Sequence, residues 1–239
     1  MINNDEIFFL CVLAGAEEIL GIENPVDGFS EEDARKKWEE VSKSLYEKKI
    51  LYNGENDEIC ISDDYAKISA ALSFPDIAFE CPVDEGRTNY IFIRGSIYVV
   101  LGREEECELK LYNREGFINF INHEFMFSSC ENEISIEISE DEMNNSVEFY
   151  TADKLEQALE VFDGRGSNAE DLKLMLELFV SNNCSKDFIG YRNNQETPSQ
   201  ALFKTLKTEA GTWLFKVWNG NVKICRCNND KALSEVLGF

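Results

Sequence analysis

The first apolar run, residues 7–16, meets Glu17 and Glu18, and its pattern predicts a buried helix over 7–21 capped by Asn3 or Asn4. Gly21 and Pro25 end it. Ser30 with Asp33 three residues on predicts the start of a second helix. Its apolar positions Ala34, Trp38, Val41 and Leu45 recur at steps of four, three and four. Residues 50–52 and 59–61 read as a short hairpin entered through Asn53-Gly54. Asp63 then caps a third helix carrying Tyr65, Ile68 and Leu72, stopped at Phe74-Pro75.

Strand patterns follow over 77–81, 89–93, 97–101 and 108–112, the middle two joined across Arg94-Gly95-Ser96. Residues 114–125 read as a helix with Phe117, Phe120 and Ile121 on one side. Residues 133–139 alternate, with Ile134, Ile136 and Ile138 on one face of a half-buried strand. Glu140-Asp141-Glu142 and Asn144-Asn145 predict a loop, and 147–150 another short strand. Thr151 is expected to cap a helix with Leu155, Leu159 and Phe162. Residues 163–166 break it, and Ser167 with Glu170 opens a helix containing Leu172, Met175, Leu176 and Phe179. Residues 192–199 form a polar loop. Strands over 201–207, 211–218 and 221–227 come next, the last two joined by Asn219-Gly220, and 229–237 is a closing helix.

Each half thus ends in a strand, a hairpin turned on glycine, and a helix. The turn glycines Gly95 and Gly220 lie 125 residues apart, about half the chain. A duplicated α+β unit, residues 1–127 and 128–239, whose hairpins join one central antiparallel sheet explains the order. Two generic hairpins would give the same order by chance. The halves are expected to form one compact domain.

Charge narrows the functions. With 46 Asp and Glu against 23 Lys and Arg, the net charge is −23 and the pI near 4.4. Phosphate binding rests on Lys and Arg, so nucleic acid is excluded as a non-specific partner, and docking on an anionic membrane is disfavoured. The 7–73 order of helix, helix, hairpin and helix suggests a winged helix. Its second helix, residues 30–49, balances six acids with six bases and offers no basic face. An apolar run of ten residues is too short to span a bilayer, and Asp5 and Glu6 stand where a secretory signal needs positive charge. The chain is therefore expected to be cytoplasmic. Its eight cysteines contain no Cys-x-x-Cys pair, so reduced thiols are expected.

Catalytic chemistry finds little footing. His123 is the single histidine, which leaves no zinc-ligand spacing and only one residue for any nucleophile–base pair. Gly164-Arg165-Gly166 follows a helix and lacks the third glycine of a dinucleotide loop. Glu104-Glu105-Glu106 and Glu140-Asp141-Glu142 are acidic runs, yet nothing singles out two carboxyls for paired work. Asn144-Asn145-Ser146 and Asn183-Cys184-Ser185 match glycosylation acceptors, which have no use in a cytoplasmic protein. No cofactor, no metal and no enzymatic activity are expected.

Recognition of another protein is the better target. In residues 211–218, Trp213, Phe215 and Val217 share one face, and Leu214, Lys216 and Trp218 the other. Lys216 places the second face nearer solvent. In residues 97–101, Tyr98 and Val100 oppose Ile97, Val99 and Leu101. Tyr98, Lys216 and Trp218 are the candidate partner-binding residues, since Trp and Tyr dominate interface energetics. The competing reading is that helices of the same chain cover that face.

Two stretches resemble the EspG family of type VII secretion chaperones. One runs from Ser30 to Phe74: a Glu/Lys-rich helix entering Lys49-Ile50-Leu51, a short wing, and a helix ending at Pro75. The other is Thr208-Glu209-Ala210-Gly211-Thr212-Trp213-Leu214, followed by the hairpin and a final helix. The resemblance implies a pseudo-twofold α+β fold, a central antiparallel sheet flanked by two helical subdomains. It implies a cytoplasmic chaperone or adaptor that covers the apolar tip of a helical export client. The composition departs from actinobacterial members, with 21 Asn and 19 Ile against 13 Ala. That bias points to a distant relative from a low-GC Gram-positive bacterium, whose client would be a PE–PPE-like protein or a small WXG- or LXG-type substrate. The alternative is an acidic immunity or antitoxin protein that occludes a basic toxin.

Overall fold

The computed structural model describes residues 2–84, 87–103, 107–130, 132–165, 168–181, 185–193 and 199–238. Glu104, Glu105, Glu106, Gly166, Ser167, Asn183, Cys184 and most of the polar 192–199 loop lie outside them. The chain divides into two units, Met1–Arg114 with Arg192–Thr197, and Glu115–Tyr191 with Pro198–Phe239. Each is α+β and built on an antiparallel sheet.

In the first unit, α1 (Asn4–Leu13) is buried almost all round, from Glu6 to Cys11. Asn3 caps it, accepting from the Glu6 N–H while the Glu6 carboxylate accepts from the Asn3 N–H. The helix stops well short of the predicted Gly21, because Gly15 takes a left-handed φ of 97° and turns the chain away. The following elements are α2 (Glu31–Glu47), the hairpin β1 (Leu51–Asn53) and β2 (Ile59–Ile61), and α3 (Asp63–Ser73). Val41 and Leu45 of the predicted stripe are buried, and Ala34 and Trp38 half-buried. Four strands follow: β3 (Ile77–Asp84), β4 (Arg87–Arg94), β5 (Ile97–Arg103) and β6 (Cys107–Tyr112), in the order β6-β5-β4-β3. Helices α1 and α3 pack on each other, and α3 packs on β4 and β5.

A charged group sits inside this packing. Glu6 is 1% exposed and accepts from Lys48 Nζ at 2.6 and 2.7 Å and from Ser44 Oγ at 2.7 Å. Burial pushes its carboxyl up, but Lys48, Ser44 and the Asn3 N–H together outweigh it, so the pKa falls below the ordinary carboxylate value. The ionised form is therefore favoured by folding. Its contribution is complete above the ordinary glutamate range and is lost as pH falls through the lowered folded value. Glu6→Gln is expected to destabilise the chain at pH 7, with the gap from wild type closing below about pH 4. Urea midpoints across that range check it, and a gap independent of pH would refute it.

The second unit begins with α4 (Arg114–Glu124), whose first residue belongs to the first unit, and β7 (Ile134–Ser139). β7 alternates buried and exposed residues as predicted. The loop and short strand expected over 140–150 are instead one helix, α5 (Glu140–Thr151). Ser139 and Glu142 form a reciprocal capping box, and the acidic run fills the first turn, where the helix dipole favours negative charge. Thr151 consequently ends α5 rather than capping the next helix, α6 (Leu155–Glu160), which follows Lys154. Helix α7 (Ala169–Ser181) is capped by Asn168, whose side chain accepts from the Asp171 N–H. β8 (Ser185–Arg192) follows, a strand the sequence pattern left unassigned, then β9 (Ser199–Thr208), β10 (Gly211–Trp218), β11 (Asn221–Arg226) and α8 (Asn229–Leu237). The strand order is β8-β9-β10-β11-β7. At the β9–β10 turn, Gly211 has φ 127°, and a Cβ there would stand 2.7 Å from Cys130 Cβ, so both the turn and the close approach require glycine.

Candidate functional site

Strand β10 carries two fully buried aromatic residues of the second unit, Trp213 and Phe215. Trp213 and Phe215 point to the face covered by α5, α6 and α7, with Ile134, Ile136 and Ile138 of β7, Leu206 of β9, and Val222 and Ile224 of β11. Arg226 fixes α7 over this face. Its guanidinium donates to both Asp171 carboxylate oxygens, at 2.7 and 2.9 Å, and lies 5.1 Å from the centre of the Trp213 ring. That hydrogen-bonded pairing holds the Asp171 carboxyl below its ordinary value.

The opposite face of β10 bears Thr212, Leu214, Lys216 and Trp218. Much of it is covered from within the unit. Helix α8 reaches it through Glu235, which accepts from Lys223 of β11 at 2.7 Å, while Ala232 and Val236 are buried. The segment after α4 covers the other side: Phe125 stacks on Phe188 of β8 at 3.8 Å, and Phe188 on Phe203 of β9 at 4.9 Å. Thr212 Oγ1 donates to the Met126 carbonyl at 2.6 Å. Leu214 and Cys225 are each 1% exposed as a result.

The cover gives out towards the Asn219-Gly220 turn. Lys216, Val217 and Trp218 are half-exposed where the five residues before them are buried. Lys216 Nζ stands 5.0 Å from the centre of the Trp218 ring, a cation–π contact that keeps the indole in place. Lys216 lies in register between Phe203 and Lys223. On the other face α7 ends at Ser181, after Phe179 has packed on Phe215 with ring centres 5.0 Å apart. Beyond it Leu202, in register with Val217, is 49% exposed, and Val180 is 41% exposed. β10 therefore offers apolar surface on both faces at the same end.

Of the three predicted residues, Lys216 and Trp218 come together. Tyr98 belongs to the first unit, half-exposed on β5 and in register with Ile93 and Tyr112. Sequence reasoning passed over Leu202 and Val180. The alternation Leu202, Lys204, Leu206 carried a signal, since one lysine breaks the apolar row, but only the length of α7 decides which leucine stays open.

The groups available for chemistry are separate or buried. His123 is exposed at the end of α4. Burial pushes the Cys11 thiol up to about 11 and the Cys227 thiol up to about 12, which leaves both un-ionised at neutral pH. An open depression of about 550 Å³ in the first unit is lined by Tyr52, Ser62, Asp63, Asp64, Tyr65 and Lys67, with no histidine or cysteine among them. Among the described residues no three His, Cys, Asp or Glu side chains gather as a metal ion would need. No described helix is long and apolar enough to cross a membrane.

No family model matches the chain, and no curated protein matches it in sequence. The structure is similar to that of EspG5, the type VII secretion system chaperone of Mycobacterium tuberculosis, solved in complex with a PE25–PPE41 dimer. The TM-score is 0.57 at 9% sequence identity, over 99% of this chain and 93% of that one. The fold is EspG-like. The match takes in the helix–wing–helix start and the hairpin–helix tail, the two stretches whose residue patterns carried the resemblance. At this identity it is a likeness of architecture, and the open end of β10 has to be judged on its own chemistry.

Proposed function

We propose that this chain is a non-enzymatic cytoplasmic chaperone or adaptor that holds a helical type VII secretion client. The client class is PE–PPE-like or a small WXG- or LXG-type protein. The observation that carries the reading is the end of β10, where Lys216 and Trp218 on one face and Val217 beside Leu202 on the other are left open on an EspG-like fold. A half-exposed tryptophan held by a lysine suits an amphipathic helix, whose apolar stripe covers the ring while its polar flank meets the ammonium. Tyr98 is assigned a second contact, on the first unit. Covering such surface gains about 25 cal/mol per Å² before association costs, which suits a reversible holder.

The net charge of −23 favours one other reading, occlusion of a basic toxin. Salt separates the two, since capture between opposite charges weakens steeply with ionic strength and apolar capture does not. The test is affinity capture from the source organism with wild type, Trp218→Ala and Tyr98→Ala baits, washed at low and high salt. A helical secretion substrate retained at high salt by wild type, and lost about tenfold or more with Trp218→Ala, is the expected result. A basic protein released by salt from all three baits would replace this reading with the immunity one.

A further inference from the structure

The four-stranded sheet of the first unit ends on β6, which pairs with β5 on one side and has no strand on its other side among the described residues. Such an edge presents a row of backbone donors and acceptors. Here Glu108 and Lys110 have side chains 66% and 51% exposed and Leu111 is 45% exposed, while Leu109 is half-buried beside Leu10 of α1 and Tyr65 and Ile68 of α3. Glu108 and Lys110 share one face of the strand, 2.8 Å apart, while Leu109 and Leu111 share the other.

The sequence Glu108-Leu109-Lys110 is a charge palindrome, negative and positive about a central leucine. We propose that β6 is a self-association edge, to which β6 of a second copy of this chain adds in antiparallel register about Leu109. In that register Leu109 meets Leu109 of the second copy. Glu108 of each copy stands directly opposite Lys110 of the other, so two opposite-charge pairs form with no rearrangement of the strand. A slip of one residue sets leucines against charges. Centring on Glu108 or on Lys110 instead puts like charges opposite each other. The register about Leu109 is thus selected by both faces at once, and it continues the first unit's sheet from one chain into the next.

Sedimentation equilibrium of the chain alone at about 0.15 M salt tests this, since the Debye length of about 8 Å screens repulsion between distant charges of two acidic chains. The wild-type mass is expected to rise with concentration from 27.4 kDa towards twice that value. Glu108→Lys makes every facing pair positive and Lys110→Glu makes every facing pair negative. Each variant by itself is expected to associate about tenfold more weakly or worse. An equimolar mixture of the two variants pairs Lys with Glu throughout and is expected to recover the dimer, which a merely misfolded variant would not do. Wild type that stays at monomer mass at every concentration overturns the proposal. So do single variants that associate like wild type, or a mixture that stays monomeric.

Discussion

Asp171→Ala is expected to destabilise the second unit by about 3–5 kcal/mol, because it strands a buried guanidinium. Arg226 is 3% exposed, and Asp171 takes two of its N–H groups at 2.7 and 2.9 Å. Without the carboxylate, Arg226 keeps, among the described residues, the Asn132 carbonyl at 3.3 Å and the face of Trp213. A charge in that position is poorly hydrated, and its desolvation is no longer offset. Asp171→Asn keeps one acceptor and is expected to lose less. A double replacement of Asp171 and Arg226 by apolar residues of similar volume is expected to recover most of the loss, since it removes the buried charge along with its partner. The contribution also depends on pH. Arg226 holds the Asp171 carboxyl low, so the stabilisation is present above the ordinary aspartate range and lost as pH falls through the lowered folded value. Urea unfolding of wild type, the two single variants and the double variant at pH 7 measures all of this. A double variant no better than Asp171→Ala would show that packing, rather than charge, is what Asp171 supplies.

Phe188→Ala is expected to cost about 3–5 kcal/mol, the range for removing a buried aromatic from a packed site. Phe188 is 2% exposed and stacks on Phe125 at 3.8 Å and on Phe203 at 4.9 Å. Its loss opens a cavity between the Phe125 and Phe203 rings. Phe188→Leu keeps most of the volume and is expected to cost less than half as much. Thermal melts of the two variants decide it. Equal losses would mean that the strand, and not the ring stack, is what Phe188 maintains.

Local patterns proved reliable where a single face or a single turn decides the structure. The step pattern Ala34, Trp38, Val41, Leu45 gave α2, and Ser30 its cap. The Ile134, Ile136, Ile138 alternation gave β7, and Asn219-Gly220 the β10–β11 turn. The misreadings were local competitions. Residues 140–150 are rich in acids and asparagines and read as loop, but Ser139 and Glu142 close a capping box that commits them to α5. Gly15 ended α1 inside an unbroken apolar run, because one left-handed residue outweighs the hydrophobicity on either side of it. β8 went unseen because its apolar residues, Phe188, Ile189 and Tyr191, are spaced by Gly190 and flanked by polar residues.

The candidate site was legible only in part. Lys216 beside Trp218 on one face of a strand follows from period-two alternation, and the structure brings the two within 5.0 Å. The exposure of Leu202 follows from where α7 stops, and the burial of Leu214 from where α8 and Phe125 lie, neither of which is written in the strand itself.

The α+β class, most strands and turns and the net charge of −23 were legible in the amino-acid order, because each depends on residues close in the chain or on simple counts. Which apolar residues remain open, how Arg226 finds Asp171 across 55 positions, and where the strand order ends come from long-range packing. Those outcomes depend on the lengths of covering helices and on contacts between distant segments, and no local periodicity encodes them.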